Sequence, residues 1–172
     1  MSDGAAAFIV SLERRDGPAI RVRGAGQAHT HQHITEAPSL AAPGAALSVA
    51  RAAAAAGVSV SDAGYLAIYD SFTITLAILL EEIGLAPRGK AGALARDGHF
   101  AAQGALPLNT HGGLLSYGHC GVAGALAHLV EAVLQMSERA GDRQARAAPI
   151  ALLHGDGGVM SSHVSVFLER TR

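Results

Sequence analysis

The run Asn109-Thr110-His111-Gly112-Gly113-Leu114-Leu115-Ser116-Tyr117-Gly118-His119-Cys120-Gly121 gathers two histidines, a tyrosine, a cysteine and closely spaced glycines just ahead of an apolar, helix-like segment. Histidine has the unperturbed pKa nearest neutrality, and glycine lets backbone approach a ligand closely or adopt positive φ. Proton transfer and stabilisation of a developing oxyanion are the chemistries such a loop serves. His119 lies between Gly118 and a helix start, a place from which an imidazole projects into a pocket beside backbone amides. A histidine that caps the helix or packs beneath the loop satisfies the same spacing. Tyr117 reads as a packing residue, and Cys120 as a small buried hydrophobe.

A second glycine-rich turn, His154-Gly155-Asp156-Gly157-Gly158, separates two strand-like runs and offers His154 either as a general base or as a turn histidine. Tyr69-Asp70-Ser71-Phe72 stands where a strand gives way to a helix, the position at which open α/β sheets present ligand-facing side chains. Tyr69 is a candidate hydrogen-bond donor there, with Asp70 or Ser71 as helix cap. His29, His31 and His33 alternate, so an extended strand would put all three on one face. Neither a cysteine nor a carboxylate completes that set, and no metal is expected.

The elements that must position these residues follow from periodicity and breakers. Ala5–Leu12 reads as a short buried strand and Ala19–Gly24 as an alternating one, joined by a turn at Asp16-Gly17-Pro18. A polar loop spans His29 to Pro38. Ala41–Ala56 is alanine-rich and stops at Gly57, as helices do, and alanine suits close helix packing. A strand follows within Asp62–Asp70, then a helix over Phe72–Ile83 that is apolar on nearly all sides and should be central and buried. Ala86–Leu106 reads as a surface excursion. The helix Gly121–Arg139 carries Leu126, Leu129, Val130, Val133 and Leu134 at helical spacing. Pro149–Leu153 and Val159–Leu168 close the chain as antiparallel neighbours. The sum is an α/β layered fold, a mixed sheet flanked by helices with a closing antiparallel strand pair.

Composition sets limits on function. A chain of 172 residues with 49% hydrophobic residues is one domain with a real core. A net charge of -1 without a basic block argues against nucleic acid as a partner. No apolar run approaches the roughly 18 residues of a membrane span. One cysteine excludes an internal disulfide, and no basic-then-apolar leader opens the chain, so a cytoplasmic protein is expected.

Taken in order, these boxes resemble the C-terminal half of a thiolase, nearest to the sterol-carrier or lipid-transfer type. Ser2-Asp3-Gly4-Ala5-Ala6-Ala7-Phe8-Ile9-Val10 is similar to the last strand of the family's N-terminal half. Tyr69-Asp70-Ser71-Phe72 resembles its Asn-Glu-Ala-Phe or His-Asp-Cys-Phe box, Asn109 to Gly121 its Asn-x-x-Gly-Gly…Gly-His-Pro box, and the segment from His154 its C-terminal glycine turn. The resemblance implies that residues 1–16 are a remnant of the N-terminal half and 17–172 a thiolase C-terminal domain. It implies acyl-CoA acyltransferase chemistry in which a cysteine of the absent half takes the acyl group. His119 then activates that cysteine and polarises the thioester carbonyl, Tyr69 serves a second oxyanion hole, and His154 replaces the family's proton-shuttling cysteine. Asn109, Gly112, Gly113, Gly118, Gly157 and Gly158 become substrate-binding positions. Coenzyme A enters as substrate, without a further cofactor. Implied partners are an acyl-CoA, a second copy or a cysteine-bearing thiolase half, and a small zinc-ribbon/OB-fold protein. Cys120 departs from the family's proline. Tyr69 also suits thiolase-like aldolases of steroid side chains, though these tend to carry tyrosine in place of His119, and the missing nucleophile suits a non-catalytic lipid or acyl-CoA binding module.

Overall fold

The computed structural model describes residues 3–13 and 19–171. Four strands, β1 (Ala19–His29), β2 (Tyr65–Ile68), β3 (Ile150–Gly157) and β4 (Ser162–Thr171), form one mixed sheet in the order β1-β4-β3-β2. β4 runs antiparallel to both β1 and β3, and β2 runs parallel to β3. The β3–β4 pair is the closing antiparallel hairpin expected from the short glycine-rich link. Alternation along the strands splits the sheet into two faces. Leu66, Ile68, Leu152 and Phe167 pack against α1 (Ala45–Ala56), α2 (Thr73–Ile83) and the buried Phe100. Tyr65, Ala67, Ala151 and Leu168 pack on the other side against Ala132 and Met136 of α5 (Gly124–Met136).

The alanines of α1 let it lie directly on β1, where Gly24 and Gly26 face it. A Cβ at Gly24 would meet the Ala52 carbonyl oxygen at 2.7 Å. Pro43-Gly44 delay the helix to Ala45, and the first amides, Gly44 N–H and Ala45 N–H, donate to the Glu82 carboxylate of α2 at 2.8 and 3.1 Å. An acid at a helix N-terminus satisfies orphan donors and the dipole together. Helices α1 and α2 both end on left-handed glycines, Gly57 (φ 63) and Gly84 (φ 89), as the sequence requires.

Four expectations change. Residues 5–12 form no strand, and Ile9 is 94% exposed. An extended segment needs a neighbour for its amides, and this one pairs with neither edge strand. The turn expected at Asp16-Gly17-Pro18 lies outside the described residues. Helix α2 is not apolar core all round, since Phe72 and Ile74 are 67% and 65% exposed. Residues 86–106 contain a short helix, α3 (Ala91–Arg96), and the buried Phe100, so this segment is more than a surface excursion. In α5 the more deeply buried face carries His128, Glu131, Ala132, Gln135 and Met136, while Leu126, Leu129, Val133 and Leu134 are half-buried and Val130 is exposed. No helix among the described residues is long and apolar enough to cross a membrane.

Candidate active site

Two strand ends and one loop build the site. Asn109, in left-handed backbone (φ 45), sets its amide beside β2. Ile68 N–H donates to its Oδ1 at 3.0 Å and its Nδ2 donates to the Ile68 carbonyl at 2.7 Å. The side chain thus imitates a neighbouring strand and fixes the β2 exit, and Tyr69 N–H donates to the His154 carbonyl at 2.9 Å. Both polar ends of Asn109 are spent on this clamp, and the residue is buried.

Beyond the clamp, Gly112 (φ 98) and Gly113 (φ 68) open α4 (Gly113–Tyr117), a short helix the sequence pattern hides. Leu114 N–H donates to Asp70 Oδ1 at 2.8 Å, so Asp70 ties the loop to the end of β2. It does not cap α2, whose N-cap is Phe72 without a side-chain bond. A Cβ at Gly113 would collide with the Asp70 carboxyl. Gly118 ends α4 at φ 124, ψ 145, a conformation reserved for glycine, and the chain turns there into His119.

This loop brings His119 onto Tyr69, with Tyr69 Oη 2.9 Å from His119 Nε2 and the rings edge-to-face. Gly121 N–H donates to His119 Nδ1 at 3.1 Å. A neutral imidazole that accepts at Nδ1 carries its proton on Nε2, so His119 donates to the phenol oxygen. The phenol's own hydrogen is then free for a third group. Burial first, then the charges of Asp156 and Asp70, raise the Tyr69 pKa, which keeps that hydrogen in place. Beside the pair lies a cavity of about 400 Å³ bordered by Ser71, Phe72, Leu114, Leu115 and His119. Its wall is mostly apolar, and the His119 imidazole stands at its edge.

Underneath sits a polar floor that sequence reading passed over. His128 is fully buried, its Nε2 3.1 Å from Asp70 Oδ1 but off the hydrogen-bond direction, and its ring lies edge-on to both Tyr69 and His111. Burial lowers the His111 pKa, with His128 adding to the effect. Tyr117 is exposed and meets His111 edge-to-face instead of packing inward. Thr110 Oγ1 donates to Glu131 at 2.7 Å, and Gln135 Nε2 donates to Glu131 at 3.0 Å. Arg143 reaches the same carboxylate at 3.0 Å. Burial pushes the Glu131 pKa up, but the bonds from Arg143, Gln135 and Thr110 outweigh it and hold it below the usual range. Tyr65, hydrogen-bonded to Thr110, is pushed by burial up to about 12. Charged residues on an otherwise apolar helix, Glu131 above all, were the signal available in the sequence.

His154 is placed elsewhere. It shares the sheet face of Leu152, turned to α1, and is 1% exposed. A chain of bonds runs through it: His163 Nε2 donates to the Met160 carbonyl at 3.0 Å, so His154 Nε2 donates to His163 Nδ1 at 3.3 Å. Ser165 Oγ then donates to His154 Nδ1 at 2.9 Å and meets Ser48 of α1 at 2.7 Å. Burial, helped by His163, drives the His154 pKa down to about 3. Gly157 ends β3, and Gly158 (φ 61) opens the turn to β4 in a left-handed conformation. Asp156, in β3 opposite His163, has a buried Oδ1 with no partner among the described residues, and burial raises its pKa to about 7. The structure therefore joins Tyr69, Gly118 and His119, makes Asn109 and Gly113 their supports, and leaves His154 in a separate buried chain. His29 ends β1 and bonds Ser162, while His31 and His33 lie beyond the strand. Among the described residues no cluster of three or more His, Cys, Asp or Glu is disposed to hold a metal.

Residues 26–170 match a family model described as thiolase C-terminal domain-like. An acetyl-CoA acetyltransferase of Methanothermobacter thermautotrophicus is 30% identical over 173 residues, an alignment covering 95% of this chain and 45% of that protein. Rabbit (Oryctolagus cuniculus) sterol carrier protein 2 is 37% identical over 101 residues, covering 59% of this chain and 18% of that protein. The solved Ltp2-ChsH2 aldolase superposes with a TM-score of 0.75 at 27% identity, covering 88% of this chain and 39% of that one. The chain thus spans less than half the length of these relatives.

Proposed function

The chain belongs to the thiolase C-terminal domain-like family, and from that premise we propose that it works on acyl-CoA thioesters, at the carbon–carbon bond next to the thioester carbonyl. The reading is thiolase-like acyl transfer: Tyr69 and His119 form the oxyanion and acid/base side of the site, and a cysteine from a thiolase N-terminal half supplies the nucleophile. The observation that carries it is the 2.9 Å Tyr69–His119 bond, whose proton order leaves the phenolic hydrogen available to an incoming oxygen. A raised Tyr69 pKa favours a donor over a phenolate base, which suits an oxyanion that forms as the thioester carbonyl is attacked. Removing one such donor costs about 10²- to 10³-fold in rate. We place the protein in the cytoplasm on its single cysteine. We also expect it to act in an assembly, with a second copy, a cysteine-bearing half or a small zinc-ribbon/OB-fold companion.

A retro-aldol reading is the alternative, supported by the likeness to the Ltp2-ChsH2 aldolase and by a dyad that needs no cysteine to stabilise an enolate. One assay separates the two. The complete protein containing this chain is given a 3-ketoacyl-CoA with free CoA, or a 3-hydroxyacyl-CoA, before and after cysteine alkylation. Thiolysis abolished by alkylation and by His119→Ala supports acyl transfer. Cleavage of the hydroxy ester that survives alkylation and fails in Tyr69→Phe assigns the aldol reaction. Binding of CoA esters with neither activity overturns both and leaves a binding module.

A further inference from the structure

We propose that His128 is a positioning residue for this site: as an imidazolium it is the counter-ion of the buried Asp70 carboxylate, and through Asp70 it holds the loop that sets His119 against Tyr69. The inference deepens the thioester reading above, since it concerns the support of the same pair.

The carboxylate comes first. Asp70 is buried and stands directly after Tyr69 at the end of β2. Its Oδ1 accepts from Leu114 N–H at 2.8 Å, and Gly113 lies so close that a Cβ there would collide with Oδ2. The backbone that runs through α4 and Gly118 to His119 therefore rests on this one carboxyl group. A carboxylate taken out of water needs an opposite charge as well as hydrogen bonds.

Positive charge is scarce around it. Among the described residues Arg143 serves Glu131, Arg170 serves Glu138, and Arg21 and Arg23 share Glu169. The only basic group against Asp70 among those residues is His128, with Nε2 3.1 Å from Oδ1. The approach is off the hydrogen-bond direction, so a neutral imidazole gains no bond from it, whereas the attraction of opposite charges has no preferred angle. His128 is fully buried, and neither of its nitrogens has a hydrogen-bond partner among the described residues. A neutral ring would leave those polar atoms desolvated without compensation, while a charged ring is offset by Asp70.

The neighbours agree with that placement of charge. His111 meets His128 edge-to-face with ring centroids 5.1 Å apart, and burial, then His128, lowers the His111 pKa, so the second imidazole stays neutral. The titratable and charged groups facing His128 are Tyr69 and Asp70 from the β2 end, His111 from the loop with Tyr117 behind it, and, one turn along α5, Glu131 with its Arg143. Without its counter-ion Asp70 either takes up a proton, which weakens the charge-assisted Leu114 bond, or turns out toward water. Both release α4, and His119 then leaves the Tyr69 hydroxyl.

The test follows the His128 imidazole 15N signals with pH in the complete protein, assigned by their loss in His128→Gln or by nuclear Overhauser contacts with Tyr69. The ring is expected to keep its imidazolium signature to a higher pH in the parent than in Asp70→Asn. His128→Gln is expected to lower kcat by about 10²-fold with KM little changed, as a misplaced reacting group does, and to do no further harm in Asp70→Asn, whereas two independent contacts would add. A ring that titrates identically with and without Asp70, losses that add, or a neutral His128 in the parent at pH 5 overturns the role of His128. A parent that turns over no CoA ester overturns the thioester reading, and the 15N titration still decides the ion pair.

Discussion

Replacing Asp156 by asparagine should make the protein more stable at pH 8 and, at the same time, make its stability depend more steeply on pH. Burial raises the Asp156 pKa from 3.8 to about 7, so folding opposes its ionisation. A raised carboxyl pKa contributes stability that is complete below pH 3.8 and is lost as pH climbs to 7. Roughly three units convert to about 4 kcal/mol, which we halve to about 2 kcal/mol because the side chain is partly solvated. His154 works in the opposite sense. Its pKa falls from 6.5 to about 3, so its stability is complete above pH 6.5 and is lost as pH drops. At pH 5 the unfolded imidazole holds about 1.5 units of protonation advantage, a loss of about 2 kcal/mol. The His111 and His163 pKa values, both lowered chiefly by burial, add to that side. In the parent the two slopes nearly cancel between pH 5 and 8. Asparagine keeps the size of the side chain but does not ionise, leaving the histidine slope exposed. Urea unfolding at pH 5, 6, 7 and 8 measures this directly. A variant no more stable than the parent at pH 8, or one whose stability rises no faster from pH 5 to 8, refutes the reasoning.

Other substitutions read other parts of the site. Tyr69→Phe removes the donor but keeps the ring, and should cut kcat by about 10²-fold with KM little changed, as steady-state turnover of the reactive thioester would show. Gly113→Ala drives a Cβ into the Asp70 carboxyl at φ 68, so the loop must leave Asp70; thermal melts should fall by several degrees and the activity should go with them. Glu131→Ala strips the shared acceptor from Thr110, Gln135 and Arg143, leaving Thr110 and Gln135 donors without it inside the fold, and should cost about 3 kcal/mol in chemical denaturation. A loss under about 1 kcal/mol would mean that water replaces the carboxylate.

Much of the architecture was legible because local rules and tertiary demands coincide. Gly57 and Gly84 end their helices where glycine must, and the glycine turn after His154 makes the final hairpin. The loop from Asn109 to Gly121 was legible as an irregular segment because its glycines permit the positive φ found at Gly113 and Gly118. What the pattern hid were choices between partners. Asp70 precedes a helix and looks like its cap, yet the nearer amide in space is that of Leu114, forty-four residues on. Leu126, Leu129 and Val133 look like core, but the sheet offers that helix the tyrosine and alanine of β2, and the polar residues fill the remaining space with one another. The strand period did carry one unused clue: His154 follows Leu152 by two, so a buried Leu152 puts His154 on the same inward face.

The histidines show why residue type alone could not assign the chemistry. His119, His154 and His128 are all near the carboxyl end of the sheet or beneath it, and each has a different second bond. His119 accepts a backbone N–H at Nδ1, which fixes its proton on Nε2 and sends it toward Tyr69. His154 accepts from a serine and donates to another imidazole, so its proton order is dictated from the Met160 carbonyl inward and it has no bond left for a substrate. His128 has neither nitrogen bonded among the described residues and stands against Asp70. The same imidazole therefore serves as a donor at the site, a strut beneath the β3–β4 turn and a charge contact under the floor. What separates these roles is the atom at the far nitrogen, and that atom comes from the backbone turn or the neighbouring strand, at a distance in sequence that no local motif encodes.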